Sequence, residues 1–128
     1  MSDLFSLLED ISEQLPGCQM VSIVDRATGM QLASVGNGDN AASAGADAYQ
    51  SELYRRAAAL VEELDEGPVQ TVVLESEGTT FVSEPIGESG YFWHVATRDD
   101  TTLGFTRAIM NKNRGRVLEG VEGLVGAE

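Results

Sequence analysis

Few side chains in this sequence have the type and spacing that chemistry needs. The chain holds one histidine, His94, and one cysteine, Cys18, which excludes an intrachain disulfide and leaves too few ligands for a zinc site. His94 falls in an apolar run with no cysteine or second histidine placed to form a dyad, so its expected role is structural. Glu75, Glu77, Glu84 and Glu88 crowd the ends of two hairpins. Paired carboxylates can serve as acid and base, but charged turns are normally just solvated, and that is the expectation here. Tyr91-Phe92-Trp93 offers a stacking platform; in a central strand such a run is core instead. A Gly-x-Gly at residues 36–38 has no Gly-Lys-Ser/Thr after it, and the only lysine is Lys112, so a phosphate-binding loop is not expected. There remains the adjacent pair Arg55-Arg56, for which Glu52 is the nearby acid on the same helix. No catalytic residue, cofactor or metal is expected.

Charge narrows the partners. Eight basic residues against 21 acidic ones give a net charge of −13, which argues against binding a phosphate backbone. Half of the bases, Arg107, Lys112, Arg114 and Arg116, sit in one short stretch near the C-terminus, read as a solvated helix face answering the acidic remainder. A chain of 128 residues suits one domain. No apolar run approaches the roughly 20 residues a membrane helix needs, and the opening Met-Ser-Asp-Leu-Phe lacks the basic start of a signal peptide. The expectation is a cytoplasmic protein.

The elements that must position these side chains are organised around residues 69–97, which read as three strands joined by tight turns. Val69-Gln-Thr-Val-Val-Leu-Glu-Ser76 is rich in β-branched residues and is entered through Gly67-Pro68. Glu77-Gly78 is a two-residue turn, with φ > 0 expected at the glycine. Residues 79–86 return, Gly87–Gly90 turn again, and Tyr91–Thr97 follows, apolar on nearly every residue. Upstream, Leu4, Leu7, Leu8, Ile11 and Leu15 recur at helical spacing, capped by Ser2 or Asp3 and stopped by Pro16-Gly17. Residues 19–25 and 30–35 make a hairpin, and residues 36–45 read as a mobile loop. A second helix is expected over residues 46–64. Tyr49, Leu53, Ala57, Leu60 and Leu64 fall on one of its faces, with Tyr54, Ala58 and Val61 beside them, so it is expected to be covered on two sides. A third helix begins near Leu103; Gly115, Gly120 and Gly123 make it sound through Arg114 and poor beyond. Residues 1–119 are thus expected to be the domain and residues 120–128 a flexible, glycine-rich acidic tail.

The order is α-β-β-α-β-β-β-α. The strand at residues 91–97 is apolar on both faces and the one at 19–25 nearly so, which places the two side by side in the centre of the sheet. That leaves residues 69–76 on an edge that no lysine or internal proline guards, which invites an antiparallel copy across a twofold axis. This order, with the opening Leu7-Leu-Glu-Asp-Ile11 helix, the hairpin Val21-Ser-Ile-Val-Asp25…Thr28-Gly29…Leu32-Ala-Ser34, the helix Leu53…Ala57-Ala-Ala-Leu60 and the closing Thr102-Leu-Gly-Phe-Thr-Arg-Ala-Ile109, resembles the roadblock / dynein light-chain family. The resemblance runs from Leu4 to about Leu118.

What the resemblance implies is an α+β fold: a five-stranded antiparallel sheet in order 2-1-5-4-3 with helices on both faces, roadblock/profilin-like. It implies a homodimer through the third strand and second helix, with Val69, Thr71, Val72, Val73, Leu74, Ala57 and Ala58 as interface candidates. It further implies a small Ras-like GTPase as partner, either as a regulator of GTP hydrolysis or as a scaffold. Tyr49, Leu53, Arg55, Arg56 and Leu60 are the candidates to meet that partner, and an arginine finger could come only from Arg55 or Arg56. The rival reading is a profilin-like or sensor-type domain that binds a small molecule or peptide without a GTPase; a deep apolar pocket under Trp93 would favour it.

Overall fold

The computed structural model describes residues 3–36, 40–98 and 100–125, with residues 40–44 described by backbone alone. Helix α1 (Leu4–Glu13) starts where the Asp3 carboxylate accepts the Ser6 N–H at 2.7 Å, satisfying one of the free donors of the first turn. It leads into strands β1 (Cys18–Asp25) and β2 (Gln31–Gly36), then helix α2 (Asn40–Glu63). Strands β3 (Val72–Glu75), β4 (Thr79–Pro85) and β5 (Tyr91–Arg98) form the meander, and helix α3 (Leu103–Val125) closes the chain. The sheet is antiparallel throughout, in order β2-β1-β5-β4-β3. The central pair is β1 and β5, as their two-sided apolar character requires.

Strand alternation splits the interior in two. On one face Val21, Ile23, Val82, Trp93 and Val95 meet Leu7, Leu8 and Ile11 of α1 and Met110, Val117 and Val121 of α3 in the main core. On the other face α2 covers a much smaller apolar cluster of Val24, Tyr54 and Phe92. Tyr54 and Phe92 stack there with ring centroids 4.7 Å apart. Met20, Phe81 and Ala96 share that face, and between them and the cluster runs a polar line. Ser34, Ser22, His94 and Ser83 lie opposite one another in register on β2, β1, β5 and β4, making a polar row across four strands.

The structure corrects several expectations. Helix α2 begins at Asn40, so residues 40–45 of the expected loop are helical; residues 37–39 lie outside the described residues. Strand β3 is only Val72–Glu75, because its neighbour carries Pro85. Ile86 N–H donates to the Tyr91 carbonyl on the β5 side, so alternation turns the Pro85 nitrogen toward β3, where it has no hydrogen to offer. Pairing stops at Val72–Ser83, and Val69 and Thr71 fall outside the strand. Gly78 is not among the residues with positive φ; Ser76 closes that turn, its N–H donating to the Thr79 carbonyl at 2.9 Å. Met30 lies before β2 and is exposed. Helix α3 does not fade after Arg114 but continues to Val125, past the expected boundary at residue 119. Val117 and Val121 are fully buried, and Gly120 lets α3 approach the Leu4 side chain of α1. Residues 126–128 lie outside the described residues.

Candidate functional site

The 24 residues of α2 present two faces with different work. Tyr54 and Ala58 point inward and are buried against the sheet at 1% and 6% exposure. Ala58 is expected from the resemblance to lie at an interface; it instead faces the sheet under the helix, off the outer stripe. One step around the helix, Tyr49 is 81% exposed, Leu60 61% and Leu64 60%, with Leu53 and Ala57 half-buried between them. Isolated exposed apolar residues are ordinary, but these five recur at spacings of three or four and make one stripe. Val73 and Leu74 of the β3 edge are exposed as well, at 39% and 45%. Thus α2 and the sheet edge that follows it in sequence both carry uncovered apolar residues.

The arginine pair lies on the same helix. Arg55 and Arg56 both engage Glu52, at 2.7 and 3.0 Å, and together they hold the Glu52 carboxyl below the usual range, Arg56 having the larger effect. Arg55 also donates to the Ala27 carbonyl at 2.8 Å, tying the helix to the β1–β2 turn. Arg56 keeps only Glu52, and its side chain is 80% exposed. Neither arginine extends freely into solvent: each is braced by the same carboxylate.

Beneath the helix is a set of contacts that sequence reasoning passes over. Asp47 and His94 are fully buried and hydrogen-bonded to each other. Gln50 Nε2 donates to Ser83 Oγ at 2.7 Å, and Ser22 and Ser34 share a 2.7 Å hydrogen bond. Extending the inward positions 54 and 58 back by three and four residues reaches 47, 50 and 51, so the helical period does carry this signal; an apolar stripe alone leaves its polar members out. On the opposite face Glu84, also buried, accepts from Trp93 Nε1 at 3.1 Å and from Arg114 Nε and Nη2 at 3.1 Å each. Trp93 itself is packed into the main core. The half-buried Cys18 thiol is pushed up by burial, the opposite of what nucleophilic chemistry needs. Among the described residues no group of three or more His, Cys, Asp or Glu is placed to hold a metal ion, and no helix is long and apolar enough to cross a membrane.

No family model and no curated protein sequence matches the chain. Solved structures do. The Roadblock/LC7 domain from Streptomyces avermitilis superposes with a TM-score of 0.81 at 19% identity, over 97% of this chain and 98% of that one. MglB from Myxococcus xanthus gives 0.81 at 16% identity, over 93% and 94%. The gliding protein MglB from Thermus thermophilus gives 0.80 at 16%, over 92% and 87%. In element order, strand order and extent, this chain has the roadblock/LC7 fold.

Proposed function

We propose that this chain is a non-catalytic, homodimeric regulator or scaffold that binds a small Ras-like GTPase, one GTPase per dimer. The observation that carries this reading is that α2 carries an exposed apolar stripe while the unguarded β3 edge exposes Val73 and Leu74. Antiparallel pairing of two β3 strands would join the sheets, cover the β3 edge and bring two copies of α2 together, uniting their apolar stripes in one continuous outer surface. The likeness to MglB, one structure of which is described as having a tetrameric arrangement, supports self-association, and the resemblance to the roadblock family supports the GTPase. A twofold surface accepts a single asymmetric partner only by using its halves differently, hence one GTPase per dimer. Val72, Val73 and Leu74 with Ala57 belong to the dimer joint; Tyr49, Leu53, Arg55, Arg56 and Leu60 form the surface offered to the partner. Trp93, under which a deep apolar pocket would favour a sensor-type domain, is itself packed into the main core.

The test is a pull-down with the full chain as bait, followed by light scattering of the reconstituted complex with the GTPase retained. The expected mass is two copies of this chain plus one GTPase, with affinity falling as salt rises, because exposed charges are screened beyond about 8 Å at physiological ionic strength. Absence of any GTPase from the retained proteins, or a two-to-two complex, would overturn the reading.

A further inference from the structure

A groove of 1380 Å³ opens at one end of the sheet, on neither of the surfaces discussed above. Tyr54, Ala58 and Glu62 of α2 form one wall and Gly104, Arg107 and Ala108 of α3 the other. Glu84-Pro85 of β4 line its floor, where no strand pairs with them because β3 starts only at Val72. The β1–β2 turn brings Arg26 to the mouth. Sites for drug-sized ligands run to about 1,000 Å³, so this one has room for a stretch of chain.

Its cations set it apart. Arg55, Arg56, Arg114 and Arg116 each meet a carboxylate within 3.1 Å. Arg26, Arg98, Arg107 and Lys112 have no such ion pair among the described residues, in a chain of 21 acids and eight bases. Two of those four, Arg26 and Arg107, face the groove from different elements. Arg26 lies over the Tyr54 ring at 5.7 Å, and Arg107 reaches only the Thr71 hydroxyl at 3.5 Å. The Tyr54 hydroxyl, buried and within electrostatic reach of Arg26 and Glu84, has no hydrogen-bond partner among the described residues. A buried donor without an acceptor is uncommon enough to need a reason. Two unpaired guanidinium groups and a free hydroxyl around one floor lack the same thing, an anionic acceptor. The acids Glu62, Asp65 and Glu88 also border the groove and repel a polyanion.

We propose that this groove binds an extended peptide segment through one aspartate or glutamate side chain flanked by neutral or basic residues, the carboxylate being taken by Arg26 and Arg107 with Tyr54 donating its hydroxyl. The site needs no GTPase and stands apart from the outer face of α2, so it can be tested on its own. The chain has a single tryptophan, and Trp93 Nε1 donates to the same Glu84 oxygen that Arg114 holds on the groove floor, so the indole N–H reports on the site.

The experiment titrates the full ¹⁵N-labelled chain with a short capped peptide carrying one central aspartate between lysines, and with its asparagine counterpart. The aspartate peptide should shift the Trp93 indole resonance saturably, and the asparagine peptide should bind about tenfold more weakly or worse, since charge-assisted hydrogen bonds are the ones lost. Arg26→Gln and Arg107→Gln should each reproduce that loss, whereas Arg98→Gln, outside the groove, should not. Equal response to the two peptides, equal weakening by Arg98→Gln, or no saturable shift would overturn the proposal.

Discussion

Asp47 on α2 and His94 on β5, 47 residues apart in sequence, are hydrogen-bonded to each other with both side chains closed to solvent. The other Asp47 oxygen and His94 Nδ1 have no partner among the described residues. The pair therefore pins the first half of α2 to the sheet without being fully satisfied itself. Removing only the imidazole strands the buried Asp47 side chain, so His94→Ala should cost about 3–5 kcal/mol, and Asp47→Ala, which strands the less polar ring, should cost less. The joint replacement Asp47→Leu with His94→Phe should unfold close to the parent protein. Urea midpoints of the three variants check the order; an Asp47→Ala loss larger than that of His94→Ala would contradict it.

Assembly can be tested at residues that do no work inside the protomer. Val73 and Leu74 are exposed, so Val73→Lys and Leu74→Lys should leave the fold and its circular dichroism unchanged. Light scattering at tens of micromolar should give a dimer for the parent chain and a monomer for either variant, because standard-size interfaces are populated in that range. A parent monomer at that concentration refutes the dimer.

Bracing by Glu52 bears on the arginines. Arg55→Ala and Arg56→Ala should weaken GTPase binding modestly and leave the hydrolysis rate at saturating protein as it was. An arginine finger supplies on the order of a thousandfold or more. If either substitution abolished an acceleration of that size while binding survived, this chain would be donating a catalytic group. Arg56, the more exposed of the two, is the one to try first.

Tyr54 predicts an alkaline limit. Burial pushes its phenol pKa up, Arg26 draws it partly back, and the Glu84 charge adds to the rise. The unfolded phenol titrates near pH 10. Since the folded value is higher, the neutral form is favoured by folding; its contribution is intact below about pH 10 and is lost as pH climbs through the folded pKa. Tyr54→Phe should flatten the fall in urea stability above that pH and, with no hydrogen bond to forfeit, cost little at neutral pH. An unchanged alkaline slope in the variant would assign the fall to other groups.

What sequence reading could reach was whatever a residue's own type decides. The central placement of β1 and β5 followed from their apolar residues, and the two stripes of α2 from their period, but not the fact that the Tyr49 stripe is exposed in the protomer while Tyr54 and Ala58 face inward. It could not reach features set by a partner far along the chain. The shortness of β3 is caused by Pro85 on the neighbouring strand, and the early start of α2 accompanies Asp47 and Gln50 contacts to β5 and β4. Helix α3 shows the same division. Its glycines lower local helix propensity, yet Val117 and Val121 hold it to the core and Gly120 permits contact with α1. A Cβ at Gly115 meets nothing within 4 Å, so Gly115→Ala should raise stability by about 0.5–1 kcal/mol. At Gly120 the added carbon comes within 2.9 Å of Leu4 Cδ1, so Gly120→Ala should gain less. Thermal melts of the two alanine variants decide the point.

The contact of Gly120 with Leu4 also fixes where the described chain starts and stops: both α1 and the last turns of α3 lie on the face opposite α2. A fluorophore, resin or membrane tether attached at either end therefore stands behind the sheet and leaves the α2 surface turned outward. In an optical trap, load applied between those two ends falls first on the seam between α1 and α3. It should be released by peeling side chains apart a few at a time, before any backbone ladder of the sheet bears tension.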